Sequence, residues 1–245
     1  LNTLLSETED VSREDQIVIM DGLGVSNLES GNIHQAIIDQ LETTANVQDR
    51  IVLDNNEGFA YELAGKIPQR YLDEIRTGGK DIAGFELFGK IYINNTIEPE
   101  DIVETWIHEK THSQIKRLIP DKTRREEVLQ RVFDIVGKEE INNFLHPAYL
   151  LEDEPTRANE YLAFKVQELA QTGDVNAIPE IKKVIFDLFN QITTHKNIQD
   201  AKDVINLAKQ RSGERNAHDG LRGRNGIEPN TGNTKGGSPT FSRSI

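Results

Sequence analysis

Trp106-Ile107-His108-Glu109-Lys110-Thr111-His112 contains His-Glu-x-x-His inside a segment whose spacing predicts a helix over residues 99–118. Residues four apart on a helix stand one above the other, so His108 and His112 can turn both imidazoles toward one metal ion. Glu109 leaves the same helix beside the first histidine, where a carboxylate can take a proton from an attacking water and pass it on. Ile102, Val103, Trp106, Ile107, Ile115 and Leu118 follow helical spacing and would anchor the helix in a core. That context favours a metal site over a solvated helix face carrying two histidines by chance.

The chain has 245 residues, enough for one large or two small domains with a sizeable core. No apolar run approaches the roughly 20 residues that span a bilayer, and the N-terminus lacks the basic-then-apolar layout of a secretion signal. No membrane partner and a cytoplasmic location are therefore expected. The chain begins with leucine rather than methionine, so it reads as excised from a longer parent, which leaves an upstream export signal open. Cysteine is absent, so disulfides, zinc fingers and thiol chemistry are excluded and any Zn2+ must be held by nitrogen and oxygen. A formal charge of −13, from 28 basic and 41 acidic side chains, argues against nucleic acid as a partner.

Working back from the motif, Ile82-Ala83-Gly84-Phe85-Glu86-Leu87 and Lys90-Ile91-Tyr92-Ile93-Asn94, separated by Phe88-Gly89, predict a hairpin leading into the motif helix. Before it, residues 67–75, with Pro68 at the start, read as a helix stopped by Gly78-Gly79. Phe59, Tyr61 and Leu63 alternate, as in a strand, and residues 50–53 read as another strand. Gln16-Ile17-Val18-Ile19-Met20 suggests a buried strand, and Ile33, Ala36, Ile37, Ile38 and Leu41 a helix ending near Thr44. His34 has no ligand-spaced companion and reads as a packing or surface histidine.

On these residues the sequence resembles a zincin metallopeptidase, with the two hairpin segments similar to the edge strands that precede the active-site helix. The resemblance covers about residues 80–165. It implies an α+β, zincin-like fold: a small N-terminal sheet with an edge hairpin packed on the active-site helix, then a mostly helical C-terminal half. It also implies zinc-dependent hydrolysis of a protein or peptide substrate, with Glu109 as general base. An edge strand would then lie antiparallel to an extended substrate, and Tyr92 to Asn94 is the expected strand.

A catalytic zinc usually takes three protein ligands, and the motif supplies two. Downstream, residues 123–136 and 139–145 read as helices, the second halted at His146-Pro147. Residues 152–164 begin a third, with Asp153 as cap and Pro155 in the first turn. Asn159-Glu160-x-x-Ala163 resembles the stretch that gives the glutamate ligand in glutamate-type zincins, so Glu160 is the expected third ligand. Phe164 departs from that pattern, because an aspartate there supports a ligand histidine in the best-known members. Glu154 is the reserve; on a straight helix it points about 120° away from Glu160, so both should not reach one ion. His146 is weighed as a third ligand or as a donor to a tetrahedral intermediate, and Tyr149 and Tyr161 as such donors, but a surface histidine and buried, hydrogen-bonded tyrosines account for them.

Beyond Gly173, residues 178–192 and 198–208 read as helices. From about Ser212 the chain becomes rich in glycine and poor in apolar groups, which cannot offset the entropy of ordering. The expected organisation is thus an α/β segment over 1–50, a zincin-like domain over 51–210 and a disordered linker or tail over 211–245. The tail, ending Thr240-Phe241-Ser242-Arg243-Ser244-Ile245, resembles inter-domain segments of large polyvalent proteins from phages and conjugative elements. This implies further domains of a longer parent chain acting in a bacterial host. The alternative is a catalytically silent zincin-like module for binding or scaffolding.

Overall fold

The computed structural model describes residues 30–43, 49–77 and 82–222. The strand expected over residues 16–20, and residues 223–245 of the expected tail, lie outside them. In chain order the elements are α1 Ser30–Glu42, β1 Arg50–Asp54, α2 Asn56–Leu63, α3 Gln69–Thr77, β2 Gly84–Leu87, β3 Lys90–Asn94 and α4 Pro99–Leu118. They continue with α5 Lys122–Val136, α6 Lys138–Phe144, a 3-10 turn at Pro147–Leu151, α7 Glu154–Thr172, α8 Pro179–Ile192 and α9 His195–Arg222. The architecture is α+β and mostly helical, with one three-stranded sheet among the described residues. No described helix is long and apolar enough to cross a membrane.

The motif helix α4 is the centre of the molecule. Pro99 sits in its first turn, where a missing N–H costs nothing, and Glu100 and Asp101 there and Lys116 and Arg117 in the last turn complement the helix dipole. Pro120 disfavours a helical Ile119, whose backbone (φ −130°, ψ 78°) ends the helix. Residues 105–115 are all buried, enclosed by α1, α7, α8, α9 and the β2–β3 hairpin. The enclosure differs from what the apolar set implied: Leu118, in the last turn, is exposed, whereas Thr105, Glu109, Lys110, Thr111, Ser113 and Gln114 are buried. Polar groups in such a place need partners or a task.

The hairpin forms as expected, with Phe88 (φ 53°) and Gly89 (φ 70°) both left-handed in a two-residue turn that suits the strand twist. Its sheet order corrects one expectation. β3 pairs antiparallel with β2 and parallel with β1, so it is the central strand, with Phe85 opposite Tyr92 and Val52 opposite Tyr92 on the other side. Tyr92 to Asn94 therefore has no edge to offer a substrate. Asn94 reinforces this position: its amide donates to the Ile82 carbonyl at 3.1 Å and its main-chain N–H to the Ala83 carbonyl at 2.8 Å. The antiparallel edge strand is β2, which pairs with no strand but β3 among the described residues.

Gly84 lets β2 seat on α4. A Cβ there would lie 2.6 Å from Thr105 Cγ2, 2.8 Å from the Tyr92 carbonyl oxygen and 3.4 Å from Glu109 Cγ. The carbonyl belongs to the central strand and cannot yield, so only hydrogen fits. Glycine thus brings the edge strand into contact with the turn of α4 that carries Glu109.

The alternation of Phe59, Tyr61 and Leu63 is not a strand. Asn55 accepts from the Gly58 N–H at 2.9 Å and caps α2, a contribution of about 1 kcal/mol. Phe59, Ala60 and Leu63 then share one helical face, while Tyr61 is exposed. Phe59 meets Phe85 and Tyr92 edge-on at 5.4 and 5.5 Å, and those two rings stack at 4.6 Å. These residues, with Leu72 and Ile75, form a small core on the sheet face away from α4. The larger core unites Ile37, Ile38 and Leu41 of α1 with α4, α7, α8 and α9. α9 itself continues to Arg222, past the residue where the tail was expected to begin.

Candidate metal centre

Two helices build the site. His108 and His112 leave α4 one turn apart, and α7 faces them with Glu160. Asp153 caps α7 by accepting from the Thr156 N–H at 2.8 Å, and left-handed Gly173 (φ 78°) ends it. His108 Nε2 lies 3.2 Å from Glu160 Oε2, and His112 Nε2 lies 3.6 Å from Glu160 Oε1. One ligand atom from each of the three lies within 4.8 Å of the others, so this buried group could hold a metal ion.

The donor set fits such an ion on two counts. Tetrahedral zinc with bonds of 2.0–2.1 Å holds its ligand atoms about 3.3 Å apart, close to the spacing of these pairs. In addition, His112 Nε2 and Glu160 Oε1, which face each other at 3.6 Å, are buried without a hydrogen-bond partner among the described residues. Inward-facing atoms left unsatisfied in a dry interior are costly unless something binds them. His108, Glu109, His112 and Glu160 are each no more than 1 % exposed.

The charges are strongly coupled. Burial alone would push the His112 imidazole down, but the adjacent Glu160 carboxylate, then the charge of Glu109, outweigh it and lift it to about 9. Burial likewise pushes Glu160 up, yet the two histidines hold it down at about 2. Without metal the pair is thus imidazolium and carboxylate. A raised His112 stabilises the fold fully below its ordinary value of 6.5 and loses that contribution as pH rises through about 9. A lowered Glu160 contributes above 4.5 and loses its share as pH falls through about 2. Thermal melts in chelator should therefore show the melting temperature declining between pH 6.5 and 9 as well as in acid. A flat profile over the upper window would contradict the pairing.

Glu154, the reserve ligand, is elsewhere. Its carboxylate accepts from Gln130 Nε2 at 2.9 Å and sits 3.8 Å from Arg157 Nη2, facing α5. His146 is exposed and caps the 3-10 turn, its Nδ1 accepting from the Ala148 N–H at 3.2 Å. Tyr161 is buried with its ring 5.2 Å from that of Phe144, and burial pushes its hydroxyl up to about 12. Tyr149 is buried against Phe164, ring centroids 6.0 Å apart. None of these belongs to the metal-ion group. His34 is a core histidine, its Nε2 3.0 Å from the Ile97 carbonyl oxygen.

Two features escaped sequence reasoning. Lys110, an unspecified position of the motif, is buried with its ammonium 2.7 Å from Asp49 and 3.2 Å from Glu42, and 5.4 Å above the Trp106 ring. Asp49 also accepts from Arg117 at 2.6 Å and Ser113 at 3.0 Å. The network ties α1 and the approach to β1 onto α4. Burial raises the Glu42 carboxyl, and Lys110 offsets part of that rise. The signal was present: Lys110, Ser113 and Arg117 recur at i, i+3 and i+7, a polar stripe that needs acidic partners. The second is the contact made by Phe164, whose ring lies 4.5 Å from that of His108, tilted by 66°.

Comparison of the chain with protein-family models, with curated proteins and with solved structures finds no match.

Proposed function

We propose that the chain is a zinc-dependent peptidase of the zincin type, and the observation that carries this is the convergence of His108, His112 and Glu160 with Glu109 beside them. The order of hairpin, motif helix and glutamate-bearing helix supports it. Zinc, when bound by the two imidazoles and the carboxylate, supplies Lewis acidity toward a water and the scissile carbonyl. Glu109 takes the proton of the attacking water and delivers it to the leaving amine nitrogen, so no covalent acyl-enzyme forms. β2 supplies the strand that an extended substrate would pair with, since Gly84 sets its backbone against the Glu109 turn. The tail resemblance supports a place within a longer polyprotein of a mobile element, with a protein or peptide substrate in the bacterial cytoplasm.

The experiment is hydrolysis of casein and a peptide library by the purified chain, with chelator and with zinc restored. Cleavage that chelator stops and zinc restores is expected. A second reading has its own support: a catalytic zinc must admit water and substrate, and His108, Glu109, His112 and Glu160 are each no more than 1 % exposed. One bound metal, a lower melting temperature in chelator and no cleavage of any library member would select a scaffolding module held by a structural ion.

A further inference from the structure

A histidine that binds a metal through Nε2 ordinarily donates its other ring N–H to a carboxylate, carbonyl or water, and that bond fixes the tautomer and the ring plane. Among the described residues no side chain or carbonyl gives His108 such support. Its Nδ1 is buried without a hydrogen-bond partner among the described residues, while the Phe164 ring lies edge-on to the imidazole at 4.5 Å. Phe164 is one helical turn beyond Glu160 on α7, so that helix presents the acidic ligand and the aromatic ring to the same turn of α4. Phe164 is backed in turn by Phe144 from the end of α6, at 6.4 Å, and by Tyr149 from the 3-10 turn, at 6.0 Å.

We infer that Phe164 is the positioning residue of His108, orienting this metal-binding imidazole by aromatic packing where a hydrogen-bond acceptor would normally do so. The inference rests on the metal-centre reading and is independent of whether the centre is catalytic or structural. It assigns a task to the α6 and 3-10 segment, which carries no ligand but wedges two rings behind Phe164. Packing restrains a ring less directionally than a hydrogen bond, so the restraint depends on keeping an aromatic group at position 164. Removing an outer support of a ligand typically weakens metal binding 10- to 100-fold, roughly the range to expect here.

The test compares wild type with Phe164→Leu and Phe164→Tyr. Zinc affinity is measured by competition with a chromophoric chelator, cobalt absorption reports ligand geometry, and melting in excess chelator checks the metal-free fold. The leucine variant should bind zinc about tenfold more weakly, with an altered cobalt band. The tyrosine variant keeps the ring and should match wild type, and both should melt near wild type in chelator. Unchanged zinc affinity and cobalt band in Phe164→Leu would overturn the inference while leaving the metal centre intact. No zinc bound by wild type would instead remove the centre and the inference together. Nitrogen-15 imidazole NMR of zinc-loaded wild type is a check that needs no variant. The His108 Nδ1 proton should lack the strong downfield shift of a hydrogen-bonded one, and finding that shift would sink the proposal.

Discussion

Glu109→Gln is expected to lower peptide hydrolysis by about two to four orders of magnitude while one metal ion per chain remains bound. Glutamine fills the same space, and the position is fully buried against β2, so no cavity opens. What disappears is the carboxylate proposed to accept the water proton. The residues that could hold the metal ion, His108, His112 and Glu160, are untouched. Elemental analysis together with the peptide assay reads both quantities. Hydrolysis persisting at the wild-type rate in Glu109→Gln would remove Glu109 from the mechanism.

Glu160→Ala should have the largest effect on the centre itself. It removes one of the three candidate ligands, so metal content should fall from one ion per chain to almost none. It also strips the buried His112 imidazolium of its partner in the metal-free protein, a loss of about 3–5 kcal/mol. For a domain of this size that corresponds to roughly 6–20 °C in melting temperature. Glu154→Ala serves as the control, because that carboxylate faces Gln130 and Arg157. Full metal content in Glu160→Ala would disprove the ligand assignment.

The sequence made the local parts of this site readable because they obey periodicities. His108 and His112 fall on one helix face, Asp153 announces the start of α7, and Phe88-Gly89 announces the hairpin. Long-range pairing was the part that did not show. The parallel partnership of β1 with β3 joins residues 40 positions apart, such as Arg50 and Lys90, and nothing in Tyr92 to Asn94 marks a central strand instead of an edge. The alternation at Phe59, Tyr61 and Leu63 misled for a related reason: period two over five residues also occurs within a helix, and the cap at Asn55 decides the matter. The role of Lys110 became visible only with Asp49 and Glu42 brought alongside, and that of Phe164 only with the His108 ring against it.

α1 packs on α9, with the amide of Asn197 donating to the Leu41 carbonyl at 3.2 Å across 156 residues. During synthesis this closure comes late. All four site residues have been polymerised by residue 160, yet Ile37, Ile38 and Leu41 meet α9 only after residues 195–208 have emerged. At ordinary elongation rates of 5–20 residues per second, that interval lasts about 2 to 10 s. Until then the apolar face of α1 is available to chaperones, and α4 lacks part of its enclosure. α9 is thus a timer on assembly, and the helix that carries the candidate metal site is fully enclosed only once α9 has been made.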